Sequence, residues 1–318
     1  MSLTVVDAGL LGTQAQYTGF KNRIINGAMG IWQRGTTTST AGTYIADRWF
    51  VYSNSGTITG AQSTDVPSGF KYSMSISGSN YPQSAQYIES LNCVDLSGQT
   101  VTVSFWAKQT SGAGAGSLGL QLSYANTVDS WGGGNTVIAT NTFTATGSWA
   151  QYSYTFTNLP SGALNGLKVL VYGNTTGSAT IVFTGVQLEK GSTATSFDYR
   201  PYGTELALCQ RYYYQITGNN QPIASGYNRS ISVVYGYGAL PVPMRIAPSL
   251  TAPNSAGYFS VEYGISGSAA IPTLSLYLAS PTGYFINGTA ATSVTAASGN
   301  IIFTANASSY VGFSSELL

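Results

Sequence analysis

Few residues in this sequence could carry acid–base or nucleophilic chemistry. The chain contains no histidine and only two cysteines, Cys93 and Cys209. Histidine-dependent triads, Cys–His pairs and the usual zinc sites therefore cannot be assembled. Two cysteines in different predicted elements do not make a disulfide framework, so we expect both to be buried free thiols. We assign no catalytic residue, no metal and no cofactor.

Carboxylates are the one remaining group that could cleave a glycosidic bond. A glycosidase needs two carboxyl groups roughly 5–9.5 Å apart, and the chain has 11 Asp and Glu residues, thinly spread. The main candidates lie outside the motifs described below: Asp65, Glu89, Asp95, Asp129 and Glu262. We expect the protein not to be an enzyme, and a polysaccharide depolymerase is the alternative.

The composition indicates an all-β protein with many tight turns. Charged residues make up 7% of the chain, against about 25% in an ordinary globular protein. Glycine, tyrosine and hydroxyl residues take their place, and Glu and Lys, which favour helices, are scarce. The net charge is +1 with no basic cluster, so we expect no nucleic-acid partner. No run approaches the roughly 18 apolar residues of a spanning helix, so we expect no membrane insertion.

Alternating apolar and polar residues predict a series of antiparallel strands in the first two thirds of the chain. Val101, Val103 and Phe105 alternate with hydroxyl residues, and similar runs recur at short intervals. This pattern is typical of strands with one buried face, and so many in residues 21–202 predict a jelly-roll β-sandwich. The alternation changes phase at Gly185, which predicts a β-bulge there.

Two glycine-rich stretches, residues 110–116 and 125–135, are predicted to be long loops. Trp131 stands among glycines in the second stretch. A tryptophan on an exposed loop is a candidate for stacking on a sugar ring, although it could equally fold back or pack on a neighbouring subunit. We name four candidate carbohydrate contacts: Trp131, Tyr124, Tyr227 and Tyr258.

Large aromatic side chains and adjacent charges cluster near the start of the predicted sandwich and in the strap, the turn-rich segment that follows its last strand and ends at Pro201. They could form a ligand site, or a buried network in which each charge has a fixed partner. We favour the buried network, which comprises Trp32, Arg34, Asp47, Arg48, Trp49, Asp198 and Arg200.

A short helix is predicted over residues 203–217, with Thr204 as its N-cap and Glu205 in its first turn. Apolar residues spaced 3, 4 and 3 apart form one narrow stripe: Leu206, Cys209, Tyr213 and Ile216. Such a stripe packs either on its own domain or around an axis between subunits. Residues 218–318 then predict a smaller β-sandwich, and residues 1–20 an extended arm without a secretion signal.

Three phrases resemble tail-fibre and other appendage proteins of tailed bacteriophages. They are KNRIINGAMGIWQRG with YIADRW (residues 21–49), GVQLEKGSTATSFDYRPYGTELALCQRYYY (residues 185–214) and LPVPMRIAPSLT (residues 240–251). The resemblance implies a homotrimer with an axis near the helix, attached to other virion proteins through the N-terminal arm. It also implies that the protein is made in the host cytoplasm and resides in the virion.

This resemblance leads to one functional prediction and two alternatives. We predict a structural fibre protein whose β-domains bind host cell-surface glycan during adsorption. The first alternative is a purely architectural collar, baseplate or head fibre that contacts only other virion proteins. The second is the depolymerase. The sequence has none of the repeats expected of a long fibre shaft, so the position on the particle stays open.

Overall fold

The computed structural model describes residues 21–317, and the predicted arm of residues 1–20 lies outside them. The described chain divides into two compact units, one of residues 21–202 with Leu317 and one of residues 203–316. Both are built from β-sheets in which every pairing between the described strands is antiparallel. The all-β prediction is confirmed. No helix among residues 21–317 is long and apolar enough to span a membrane.

Within residues 21–202, the first unit has twelve strands and two short 3-10 turns, the latter at Ser90–Asn92 and Ser161–Asn165. The strands are β1 Thr37–Thr38, β2 Thr43–Tyr44, β3 Phe50–Tyr52, β4 Ile58–Ser63, β5 Ser73–Ser79, β6 Gln83–Ile88, β7 Val101–Ser111, β8 Gly114–Thr127, β9 Ser130–Ala145, β10 Ala150–Phe156, β11 Leu167–Gly173 and β12 Ser178–Lys190.

These strands form two six-stranded sheets that share one hydrophobic core. Sheet I has the order β1-β4-β5-β12-β7-β10, and sheet II has the order β2-β3-β6-β11-β8-β9. Along the chain, strands β5 to β12 cross repeatedly between the two sheets, which is the jelly-roll arrangement predicted from the alternation. Val103 and Phe105 of sheet I and Leu120 and Val169 of sheet II lie in the core, fully buried.

The predicted bulge in β12 is confirmed. The pairing of β12 with β7 shifts register between Thr184 and Gln187, and Gly185 has φ +62°. A side chain at Gly185 would also meet the ring of Phe70, because its Cβ would lie 2.5 Å from the Cζ of that ring. Glycine is therefore required both by the backbone angle and by the space.

The two predicted loops are hairpin ends instead. Only Gly112 and Ala113 separate β7 from β8, and only Val128 and Asp129 separate β8 from β9. Asp129 turns the chain with φ +52°, which short polar residues tolerate. The glycines that follow Trp131 continue in strand β9, so composition alone was a poor guide to where these long strands end.

The second unit contains one helix and ten strands. The helix α1 spans Tyr202–Gln210, and the strands are β13 Tyr213–Thr217, β14 Pro222–Asn228, β15 Val233–Ala239, β16 Ser249–Thr251, β17 Phe259–Tyr263, β18 Gly267–Ile271, β19 Thr273–Ser280, β20 Gly283–Thr289, β21 Gly299–Thr304 and β22 Tyr310–Ser314. Sheet III has the order β13-β22-β16, and sheet IV has the order β18-β17-β21-β14-β15-β20-β19. Side chains of both sheets enter one core, where the rings of Tyr284 and Phe313 stack 4.0 Å apart.

The predicted helix of residues 203–217 is too long. The observed helix begins at Tyr202 and ends at Gln210, so Thr204 lies inside the helix rather than at its N-cap. Tyr213 and Ile216 belong to β13, which pairs with β22 over five residues. Consecutive aromatic and β-branched side chains favour a strand. The pairing also supplies backbone hydrogen-bond partners to β22, which would lose them if residues 213–217 were helical. The four-residue helical stripe therefore does not exist, although Leu206 and Cys209 do lie on α1.

Candidate functional site

The outer face of sheet II, which points away from the core, carries a group of aromatic side chains. On β11 the inward residues are Leu167, Val169 and Val171. The alternation of the strand therefore places Lys168, Leu170 and Tyr172 on the outer side. The cross-strand partners extend this face, which we call the aromatic face: Tyr44, Phe50, Tyr52, Tyr87, Trp131 and Tyr172.

Four of these rings form a continuous series across the sheet. The ring centroids of Tyr44 and Phe50 are 5.2 Å apart, those of Phe50 and Tyr87 are 6.1 Å apart, and those of Tyr87 and Trp131 are 4.9 Å apart. Tyr52 joins the series at 5.5 Å from Phe50. Tilted and edge-to-face pairs of this kind stabilise each other and hold the rings in fixed orientations.

Lys168 is the charged side chain of this surface and is nearly buried there. Its Nζ donates a hydrogen bond to Asn135 Oδ1 at 3.2 Å and lies 6.0 Å from the ring centroid of Trp131. Burial lowers the pKa of Lys168 because it disfavours the ammonium form. No carboxylate forms an ion pair with it among residues 21–317.

Two further donors beside Lys168 have no acceptor within the described chain. Ser123, which pairs with Lys168 across β8 and β11, has a buried hydroxyl without a hydrogen-bond partner, and so has the indole N–H of Trp131. Leaving a buried polar group unpaired costs about 1–3 kcal/mol. The Trp131 end of the aromatic face therefore contains two buried donors that no acceptor among residues 21–317 satisfies.

Burial also changes the acidity of the tyrosines on this face. It raises the pKa of Tyr87 to about 12 and raises the pKa of Tyr52 still further, with a smaller contribution from the neighbouring Tyr87. Both phenols therefore stay neutral at physiological pH and act as hydrogen-bonding groups rather than as bases. The aromatic face combines apolar rings with neutral hydroxyls and one lysine.

The part of the predicted buried network that lies between Trp32 and Trp49 holds residues 21–49 together. The indole N–H of Trp49 donates to the carbonyl of Asn26 at 3.1 Å, and its ring lies 5.5 Å from that of Phe183. Asp47 is buried 3.8 Å from Arg34, and burial raises its pKa, an effect that Arg34 partly offsets. Trp32 is only partly buried and donates its indole N–H to the carbonyl of Met29 at 2.6 Å.

The other part of the network, Asp198 and Arg200, connects the strap to the start of the sandwich by hydrogen bonds. Asp198 accepts a hydrogen bond from the backbone N–H of Lys21 at 2.9 Å, and Arg200 donates to the carbonyl of Ile24 at 3.0 Å. Arg48 is buried and donates to the carbonyl of Tyr87. The structure therefore brings these predicted residues together as scaffold, and Arg48 directly supports the strand that presents Tyr87.

The four predicted carbohydrate contacts do not share one surface. Trp131 lies on the aromatic face, whereas Tyr124 shares the inward side of β8 with Leu122 and packs over Gly162 of a 3-10 turn. Tyr227 lies on an exposed part of sheet IV, and Tyr258 packs against the core of the second unit. Tyr124 points to the inward side of its strand and is partly buried there, and its role as a ligand contact stays a prediction.

Sequence reasoning missed five of the six rings of the aromatic face and also Lys168. These residues come from β2, β3, β6 and β11, which are far apart in the sequence and adjacent only through the sheet order. One signal was present: the alternation of residues 167–173 places a lysine and a tyrosine opposite three apolar residues, in a chain with very few charges.

Three of the five carboxylates considered for catalysis have other partners. Asp65 bonds to Lys108 and to the indole N–H of Trp149, and these contacts lower its pKa. Asp95 pairs with Arg23 at 2.9 Å, and Asp129 accepts hydrogen bonds from Ser90. Among residues 21–317, no cluster of three or more Cys, Asp or Glu side chains could hold a metal ion.

Part of the chain is similar to solved structures of sugar-binding proteins. No curated protein sequence matches the chain. A sugar-binding protein from Bacteroides thetaiotaomicron, described as putative, has 15% identity and a TM-score of 0.40, covering 54% of this chain and 100% of its own. A xylan-binding domain from Paenibacillus barcinonensis has 12% identity and a TM-score of 0.33, covering 50% and 94%.

A tailspike protein of bacteriophage CBA120 is also similar over part of its length. It has 17% identity and a TM-score of 0.35, and the match covers 54% of this chain but only 21% of the tailspike structure. These structural similarities are too low to establish a shared function.

The match to a sequence family is more specific. Residues 45–178 match the family model described as a carbohydrate binding domain. This segment contains Phe50, Tyr52, Tyr87, Trp131, Lys168 and Tyr172 of the face described above. The jelly-roll unit therefore contains a segment similar to carbohydrate-binding domains, and that segment carries most of the aromatic face.

Proposed function

We propose that the aromatic face of sheet II binds a saccharide. The observation that carries this proposal is the arrangement at Trp131, where the ring of Tyr87, the ammonium group of Lys168 and unpaired donors meet. A sugar ring presents C–H groups on its faces and hydroxyl oxygens at its edge, which match aromatic rings and hydrogen-bond donors respectively. Binding sites commonly combine apolar walls with a few placed polar groups in this way.

We further propose that the protein is a trimeric appendage protein of a tailed bacteriophage and acts in adsorption to the host. The support is the resemblance of residues 21–49, 185–214 and 240–251 to such proteins. Three weak saccharide sites on one particle would gain affinity through effective concentration when the glycan is repetitive. The protein would then reside in the virion and contact other virion proteins.

Binding without cleavage is part of the same proposal. The aromatic face carries no carboxylate among its defining residues, and the lysine there bonds to an amide. Glycoside hydrolysis needs a carboxylic acid and a second carboxylate on either side of the bond. Incubation with host polysaccharide should release no reducing sugar, and sustained release would favour the depolymerase instead.

Two measurements test the proposal at the level of the whole protein. A glycan array probed with the purified chain should show binding to a defined set of bacterial saccharides, whereas binding to none of them and to no host cell would favour the architectural alternative. Light scattering should give three times the chain mass of 33.3 kDa. A monomer at micromolar concentration would contradict the trimer.

A further inference from the structure

Sheet IV of the second unit carries a separate aromatic surface on its solvent side. In β15, Val234 enters the core while Tyr235 and Tyr237 point outward. Tyr235 pairs with Tyr227 on β14 and with Asn287 on β20. We call this surface the tyrosine patch, and it comprises Tyr227, Tyr235, Tyr237, Tyr277 and Phe285.

The rings of the patch contact one another around Tyr235. Its centroid lies 5.8 Å from Tyr227, 5.3 Å from Tyr277 and 5.2 Å from Phe285. Tyr227 and Tyr277 nevertheless expose 47% and 52% of their surface, and Tyr237 exposes 56%. Tyr235 is itself buried beneath its neighbours. The three exposed tyrosines around it keep much of their area open to solvent, which is the property of a contact surface rather than of a core.

Arg229 adds a positive charge to this surface. Its guanidinium carbon lies 5.4 Å from the ring centroid of Tyr235, and one of its nitrogens donates to the hydroxyl of the same residue. No carboxylate pairs with Arg229 within residues 21–317. Its other guanidinium N–H groups also have no acceptor in that part of the chain. The contact with Tyr235 therefore positions the arginine while leaving its charge uncompensated.

We propose that the tyrosine patch is a second saccharide site, specific for sugars that carry a carboxylate, such as uronic acids. Tyrosine rings offer flat area for the C–H face of a pyranose, and their hydroxyls can bond to its edge. The planar guanidinium matches a carboxylate through two parallel hydrogen bonds. The site lies on a different unit from the aromatic face of sheet II and does not depend on it.

Charge complementarity argues for this occupant over a second copy of the chain. A two-fold pairing of the patch with itself would bring two Arg229 side chains together with no carboxylate to compensate either of them. Like charges facing each other across an interface are unfavourable. An acidic sugar supplies the missing negative charge and at the same time covers the exposed rings.

The test is biolayer interferometry of the full-length protein on immobilised alginate, polygalacturonate and hyaluronan, with dextran as the neutral surface. Binding to at least one polyuronate is expected, weakened at least tenfold by Arg229→Gln and weakened by Tyr277→Ala. Arg229→Lys keeps the charge without the planar fork and should recover part of the loss. Arg23→Gln, at an arginine of the first unit, is the matched control and should bind as the unmodified chain does.

The Trp131→Ala variant separates this proposal from the first one. Polyuronate binding through the tyrosine patch should persist in Trp131→Ala, even though that change damages the aromatic face. The proposal is overturned if none of the three polyuronates binds, or if Arg229→Gln binds as well as the unmodified protein. It is also overturned if Tyr277→Ala dissociates an oligomer in light scattering, because the patch would then be a contact between subunits.

Discussion

The indole ring of Trp131 packs against the phenol ring of Tyr87, with the two ring centroids 4.9 Å apart. The two residues come from β9 and β6, which are not neighbours in sheet II. Trp131 therefore reaches across the sheet over Lys168, whose Nζ lies 6.0 Å from its ring. This relationship joins the most exposed strand of the sheet to its central strands and defines one end of the aromatic face.

A methyl group added at Gly27 should destabilise the first unit. A Cβ there would lie 2.1 Å from the carbonyl oxygen of Val186, and the carbonyl of Gly27 itself accepts a hydrogen bond from Val186 at 3.0 Å. Because the obstacle is backbone, β12 must move, and overpacking of this kind costs about 1–3 kcal/mol. Gly27→Ala should therefore lower the melting temperature by several degrees in calorimetry. Gly147→Ala is the matched control, since that position has open space, and an equal loss in both variants would contradict the explanation.

Replacing Lys168 should change how stability depends on pH. Burial lowers the pKa of Lys168 in the folded protein, so the unfolded chain binds more protons between that lowered value and the unfolded pKa of about 10.4. Stability of the unmodified protein therefore rises with pH in this window, relative to a variant without the group. As the pH is raised from 8 to 10.5, the unmodified protein should gain stability relative to Lys168→Met. The melting temperature of the variant minus that of the unmodified protein should therefore become less positive or more negative.

Tyr87, whose pKa burial raises to about 12, is present in both proteins, so its own pH-dependent contribution cancels in the difference. Lys71→Met, at an exposed lysine, controls for the general loss of one positive charge. A difference between Lys168→Met and the unmodified protein that stays constant or grows with pH would show that Lys168 is not desolvated.

Neither cysteine should react while the protein is folded. Cys93 and Cys209 are both fully buried, and burial raises the pKa of Cys93 to about 12. Thiol reagents attack through the thiolate, which is scarce at pH 8 for such a group. Titration with a chromogenic disulfide reagent should give no fast reaction in buffer and two thiols per chain in denaturant. Rapid modification of either thiol in the native protein would contradict the packing around it.

The alternation of apolar and polar residues predicted the fold well, whereas glycine-rich composition was a poor guide to where individual strands end. The alternation of Val103 and Phe105 identified a sandwich strand, and the phase change at Gly185 identified the bulge, because both are local consequences of a pleated backbone. The predicted helix was too long because the 3-4-3 spacing continues by chance into RYYYQI (residues 211–216), where pairing of β13 with β22 decides the structure. Long-range pairing is not visible in a local window.

The candidate site was less predictable than the fold. Trp131 was found because a tryptophan among glycines is unusual. Its position was assigned to a loop, however, whereas it lies at the start of strand β9. Tyr87 and Lys168 become neighbours only through the pairing of β6 with β11. Without the order of the strands, a sequence cannot show which side chains share one face of a sheet.

The most direct test compares saccharide binding by two tryptophan variants. The ligand is the uncharged saccharide that gives the strongest signal on the glycan array, so that the tyrosine patch does not contribute, and affinity is measured by titration calorimetry. Trp131→Ala should weaken binding at least tenfold, because it removes the ring that packs on Tyr87. Trp149→Ala, at a partly buried tryptophan whose indole N–H bonds to Asp65, should bind as the unmodified protein does. Equal affinity of Trp131→Ala and the unmodified protein, with both folded by circular dichroism, would contradict the assignment of the aromatic face as the binding site.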